Sequence, residues 1–178
     1  MNISTISINN CIVSDLGSYG LITVDNAANK VENILIRNST IYRVGTTVVT
    51  NVKNSLTSVI AIEYCTFNEA PFYAKYLIDM NTFTVTTGIS INNNIFGVGK
   101  ASGANISVKG CRSGTTATGT GNYTTSDYVS SGNALPGVTA YTVASTALFT
   151  DVVNGNFKVL DGTFPGKSSA GDPRWWWH

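Results

Sequence analysis

Charge is scarce in this chain. Asp, Glu, Lys and Arg make up 12% of its 178 residues, and the formal balance is +1 at pH 7. That share is about half the usual one. No basic cluster stands out, which makes nucleic acid a poor candidate partner, because phosphate binding needs a clustered cationic surface. Long apolar runs are missing too. None approaches the roughly 20 residues that cross a bilayer, so no membrane span is expected. The three cysteines form no CxxC or CxxH pair, so neither a metal site nor any other cofactor is expected. The single histidine, His178, is terminal, and no Ser-His-Asp set can be built without an internal one. Met1 is followed by no charged segment, apolar stretch or cleavage site. A cytosolic protein and a module cut from a larger chain both fit that start. The lack of a capping element before Ile6 favours the module.

What the chain does have is a phrase. Ile34-Leu35-Ile36-Arg37-Asn38-Ser39-Thr40-Ile41 reads as a short apolar strand, a polar corner and a second strand. It recurs from Ile6, Ile60 and Ile89, with a shorter echo at Ile106-Ser107-Val108-Lys109-Gly110-Cys111. A phrase returning every few tens of residues marks a repeat architecture. Its period of two makes the unit a strand and not a helix pair. A third strand signal lies between phrases, at Leu21-Ile22-Thr23-Val24, Val49-Thr50-Asn51-Val52 and Leu77-Ile78-Asp79-Met80, with Gly17, Gly45 and Pro71 at the preceding turn. The expected fold is all-β: a parallel β-helix of about five coils spanning one 178-residue module. Regular coils are expected over 1–112, a loop over 113–133, and final strands with a cap over 134–178.

Alternation assigns the faces. Ile6/Ile34/Ile60/Ile89, Ile8/Ile36/Ile62/Ile91, Val13/Ile41/Phe67/Phe96 and Ile22/Thr50/Ile78 should point inward. Asn10, Asn38 and Asn93 should form a corner column, since Asn tolerates the left-handed conformation and its amide can bond to the next in the stack. Tyr64 breaks that column. Cys11, Cys65 and Cys111 should share one place in the phrase. Equivalent positions two turns apart, at about 4.8 Å per turn, lie beyond the roughly 7 Å reach of a disulfide, so three free thiols are expected. The stretch from Ser113 to Gly132 is rich in Thr, Gly and Ser and reads as a loop over the flank. Val138–Val143 reads as another strand. Phe149 and Asn154–Leu160 read as a closing hairpin. Trp175 and Trp177 should cover the last coil, with Trp176 turned outward.

The stacked I-x-I-x-N-x-x-[IF] phrase resembles the right-handed parallel β-helix of the pectate lyase-like superfamily. The segment Leu148-Phe149-Thr150-Asp151, then Gly155-Asn156-Phe157-Lys158-Val159 and Gly171-Asp172-Pro173-Arg174-Trp175, resembles the C-terminal end of β-helix proteins on the surface of Bacteroidota, encoded with polysaccharide-utilisation enzymes. The resemblance implies an extracellular or cell-surface module, joined to other domains, that contacts plant or other polysaccharides. It does not imply catalysis, because the superfamily mixes lyases, hydrolases and binders.

A β-helix hydrolase needs two carboxylates close together, and a lyase needs an acidic calcium cluster with a basic residue. The ten acidic residues offer neither at one register. Glu63 falls in a column with Asn9, Arg37, Asn92 and Lys109, and Asp15, Arg43 and Glu69 form a second. Both read as ion ladders. Asp79 stands with Thr23 and Asn51. Sugar binding needs aromatic rings flanked by polar groups. Tyr42, Arg43, Asn51, Tyr73, Tyr76 and Asp79 are expected to line one flank, with Tyr123 and Tyr128 in reserve. A non-catalytic module binding a neutral plant polysaccharide, xylan-like in the first instance, is therefore expected. A polysaccharide lyase or glycosidase, and a structural spacer or stalk, stay open beside it.

Overall fold

The computed structural model describes residues 1–177. Its three parallel sheets run the length of a β-solenoid. The first holds β1 (Asn2–Asn9), β4 (Lys30–Arg37), β7 (Val59–Glu63), β10 (Gly88–Asn92) and β13 (Thr118–Thr120). The second holds β2 (Ile12–Leu16), β5 (Thr40–Val44), β8 (Thr66–Asn68), β11 (Ile95–Phe96), β14 (Asn122–Thr124) and β15 (Val138–Ala140). The third holds β3 (Ile22–Thr23), β6 (Val49–Thr50), β9 (Tyr76–Asp79) and β12 (Lys109–Arg112). The four strands of the third sheet mark about four turns. A short helix α1 (Ser145–Leu148) then leads into an antiparallel hairpin, β16 (Phe149–Asp151) and β17 (Asn156–Val159).

The Ile-x-Ile phrase forms the stack because β-branched side chains fit a pleated, buried surface. Ile6, Ile34, Ile60 and Ile89 pair in register, as do Ile8, Ile36, Ile62 and Ile91. From the second coil onward these side chains are buried. Burial of each stabilises by about 1.5–3 kcal/mol. In the second sheet Val13, Ile41, Phe67 and Phe96 align, and the last two rings stack with centroids 5.2 Å apart.

Each corner after the first sheet turns on a left-handed residue: Asn10, Asn38, Tyr64, Asn93 and Gly121. That matches the expected asparagine column, but the amides do not bond to one another. Asn38 Nδ2 reaches Asn9 Oδ1 instead, at 2.9 Å. The ladder sits one residue later, where the side chains turn inward. Ser39 Oγ accepts from Cys11 N–H, Asn94 Oδ1 from Cys65 N–H, and Asn122 Oδ1 from Asn94 N–H, at 3.1, 2.8 and 3.0 Å. In each pair a side chain of the later coil satisfies an amide the corner leaves unpaired in the earlier one.

Several expectations need correcting. Residues 113–133 are not simply a loop, because β13 and β14 belong to a fifth coil. There Gly119 pairs with Ile91, so the inward signature is missing. The Ile106–Cys111 echo belongs to the third sheet: Lys109 pairs with Tyr76 and Cys111 with Ile78. Cys111 is therefore not equivalent to Cys11 and Cys65, although all three cysteines are free. The third sheet is also shifted by one residue at its second rung. Ile22, Val49 and Ile78 align, as do Thr23, Thr50 and Asp79, so Asn51 leaves the Asp79 column.

The C-terminal tail does not cap the last coil. It runs back along the second sheet. Gly171 N–H donates to Asn93 O, Asp172 N–H to Thr66 Oγ1, Trp175 Nε1 to Thr40 Oγ1, and Arg174 to Asn10 Oδ1. Trp176 is half-buried, its Nε1 on Ala170 O and its ring edge-on to Tyr64. Trp177 is the exposed one, the reverse of expectation. His178 lies outside the described residues.

Candidate functional site

The hairpin and α1 are held against the second sheet, and a cleft of about 340 Å³ opens where they meet. Arg43, Asn68, Glu69 and Val98 line it from the solenoid; Asp127, Ser145, Thr146, Val152 and Val153 line it from the C-terminal half. Arg43 and Glu69 take left-handed backbone at equivalent bends of successive coils, as Asp15 does one coil earlier. That shared bend carries the Asp15–Arg43 half of the ion ladder expected from the sequence, which Glu69 does not join. Arg43 Nε and NH2 grip the Asp15 carboxylate at 2.6 and 2.8 Å, and NH1 donates to Val153 O at 3.0 Å. The guanidinium holds the Asp15 carboxyl at about 2, and the carboxylate in turn raises the Arg43 pKa.

Asp127 is equally committed. Thr125 Oγ1 and Ser145 N–H donate to Oδ1, and Ser145 Oγ donates to Oδ2 at 2.6 Å. These bonds tie α1 to the solenoid. The Glu69 side chain makes no ion pair or hydrogen bond among the described residues and is the uncommitted carboxylate of the lining. Asn68 is 1% exposed, and its side-chain oxygen meets no donor. Any side chain at Gly97 would collide with that carboxamide, so glycine there is what gives Asn68 its place. A buried polar atom without a partner costs about 1–3 kcal/mol and is the one irregular feature of the wall.

With the cleft defined, its family is too. A domain family described as a domain of unknown function, DUF5123, matches residues 60–175. The chain belongs to that family. No curated protein and no solved structure matches it. The DUF5123 span runs from β7 to the tail. It contains every lining residue of the cleft except Arg43, which a coil outside the span supplies.

The expected sugar-binding flank is not assembled as one surface. Tyr42 is buried: its ring packs edge-on against Phe157, with centroids 5.2 Å apart, and Gly155 of the hairpin closes over its hydroxyl. It anchors the hairpin and offers no open face. Asn51 is fully buried, bonding Thr57 Oγ1 and the Lys53 and Asn54 amides. Asp79 is not alone among neutral partners. Arg112 grips it in a two-bond pair at 2.8 and 2.7 Å, which raises the arginine pKa. Tyr76, half-buried, has Arg112 at 4.7 Å and Lys109 at 5.1 Å from its ring centroid. Tyr73 is half-buried in the preceding turn, its N–H on Lys100 O. Only Arg43 of the six expected residues lines the cleft. Of the reserve pair, Tyr128 packs on Phe96, and Tyr123 on Phe164 of the C-terminal segment.

Sequence reasoning missed Asn68, Asp127 and Ser145. A single weak signal was present, the Asn68-Glu69 pair at the bend that carries Arg43 one coil earlier. Among the described residues no group of three or more His, Cys, Asp or Glu converges as a metal site, and no helix is long and apolar enough to cross a membrane.

Proposed function

We propose that this chain is a non-catalytic carbohydrate-binding β-solenoid module, working outside the cell or on its surface within a larger protein. Its proposed ligand is a plant cell-wall polysaccharide, a neutral xylan-like chain in the first instance. The observation that carries the reading is the cleft: a concave site at the low end of the usual ligand-pocket range, with valine side chains and polar groups on both of its walls. That mixture suits a sugar, whose ring carries C–H bonds on its faces and hydroxyls around its edge. The resemblance to pectate lyase-like β-helices and to Bacteroidota surface polysaccharide-utilisation proteins supports the same reading. Binding without turnover is favoured because Asp127 is spent on structural bonds. That leaves one free carboxylate in the lining, where hydrolysis by the two-carboxylate route needs two.

The test is affinity electrophoresis on a polysaccharide panel, followed by calorimetry with xylo-, manno-, cello- and galacturono-oligosaccharides. Micromolar to millimolar affinity is expected for so small and open a site. Retardation by none of the panel would refute the reading, and release of new reducing ends or unsaturated products would replace it with an enzymatic one. Tyr42→Ala is expected to loosen the hairpin and lower stability, in contrast to the loss of a simple stacking contact.

A further inference from the structure

We infer that the cleft between the second sheet and the hairpin takes a single uncharged pyranose unit, such as a chain end or side branch, and rejects its uronic acid counterpart. This rests on the carbohydrate reading above and deepens it.

The lining carries more negative charge than free positive charge. It holds one cation and two carboxylates. The cation is neutralised: Asp15 takes two of the Arg43 nitrogens, and Val153 O takes the third. Ser145 Oγ spends its proton on Asp127. What remains for a ligand is the Glu69 carboxylate and the exposed Thr146 hydroxyl, since the Asn68 oxygen is sealed beneath the surface against Gly97. A ligand must bring a donor to Glu69, and a ring hydroxyl does so. Val98 on one wall and Val152 and Val153 on the other supply apolar contact, and no aromatic ring is among the described lining residues. A unit is thus held by its edges rather than by face stacking.

A sugar carboxylate in the same place meets Glu69 and Asp127 with no free cation in the lining to answer it; Lys100 lies outside the lining, its Nζ on Arg43 O at 3.5 Å. Like charges brought together at a binding site are strongly disfavoured. The volume of about 340 Å³ limits the occupant to a unit or so, with the polymer outside.

The experiment uses the full chain and two matched pairs of methyl glycosides, glucoside with glucuronide and galactoside with galacturonide, plus the xyloside, followed by calorimetry or ligand-observed NMR at pH 7. The neutral member of at least one pair should bind, with its uronate about tenfold weaker or more. Glu69→Gln should narrow that gap. Thr146→Phe, at an exposed position on the cleft rim, should abolish binding and leave the fold intact, checked by circular dichroism. Uronates binding as well as the neutral sugars would overturn the inference. So would neutral binding that survives Thr146→Phe, which would move the site elsewhere while leaving the carbohydrate function standing. Polysaccharide retardation with no methyl glycoside bound would overturn the single-unit pocket alone. Failure of the polysaccharide panel as well would take the proposed function with it.

Discussion

Replacing Asn94 tests the inner corner ladder, which carries more of the solenoid's specificity than its outer asparagines. Asn94 is fully buried; its Oδ1 accepts from Cys65 N–H, and its Nδ2 donates to Ile62 O and to Asn122 Oδ1, both at 3.0 Å. Asn94→Ala leaves the Cys65 amide without a partner inside the core, which costs about 1–3 kcal/mol, and removes two further bonds at about 1 kcal/mol net each. The sum is about 3–5 kcal/mol, a large fraction of the roughly 5–15 kcal/mol that holds a domain together. In a chain of this size it corresponds to a fall in Tm of roughly 10 °C. Asn94→Ser should recover about half of the loss, because Ser39 already fills the same role two coils earlier, accepting from Cys11 N–H at 3.1 Å. Scanning calorimetry and urea titration of the three proteins measure it. An Asn94→Ala protein within 1 kcal/mol of the parent, a threshold set by the worth of about one hydrogen bond, or an Asn94→Ser protein no better than Asn94→Ala, would refute the ladder as a source of stability.

Three other expectations follow from the same structure. Ile62→Asp puts an unpaired carboxylate between two coils, at a cost of several kcal/mol, and should yield unfolded or insoluble protein; a soluble variant with the parent's circular dichroism would show that the Ile-x-Ile face is not the core. Thiol titration of the unfolded, unreduced protein should count the three free cysteines. In the native protein Cys65 and Cys111 should react slowly, since burial pushes both thiols up to about 12, and rapid labelling of all three would contradict that burial. Asp15, held at about 2 by Arg43 against an ordinary 3.8, contributes stability that is present above pH 4 and lost as pH falls toward 2. Asp15→Asn should flatten the urea midpoint across that window, and an unchanged slope would mean the pair is screened out in solution.

The regular coils were legible because their signals are local. Alternating isoleucines fix the face, and left-handed asparagines fix the corner, within one stretch of a few residues. Registers failed where the rung length changed. Ile22, Val49 and Ile78 are separated by 27 and then 29 residues, so an even spacing of 28 placed Thr50 and Asn51 one position wrong. The fifth coil was invisible because its inward place is Gly119, whose Cβ would run into the Ile91 carbonyl of the coil beside it. Tight backbone approach replaces side-chain burial there, and a hydrophobic pattern cannot report it. The candidate site failed for a different reason. Tyr42 looked exposed until Phe157 and Gly155, more than a hundred residues later, closed over it, and Asp79 looked unpaired until the misplaced Arg112 strand moved beside it. Contacts that depend on distant segments leave no mark on the local sequence.

The tail along the second sheet changes how this solenoid should come apart. A bare stack of rungs is a one-dimensional chain of nearest neighbours, free to fray from either end one rung at a time. Here the segment Gly171–Trp175 touches Asn93, Thr66, Thr40 and Asn10, one residue from each of four successive coils. The first rung cannot peel away without breaking the Arg174 bond, and the tail cannot lift without uncovering the buried Asp172. Ends that would otherwise melt independently are thereby coupled, so the molecule should lose its structure in one concerted transition instead of unzipping. Because the coupling segment follows all the coils it touches, those coils leave the ribosome as separable units until it emerges and locks them together.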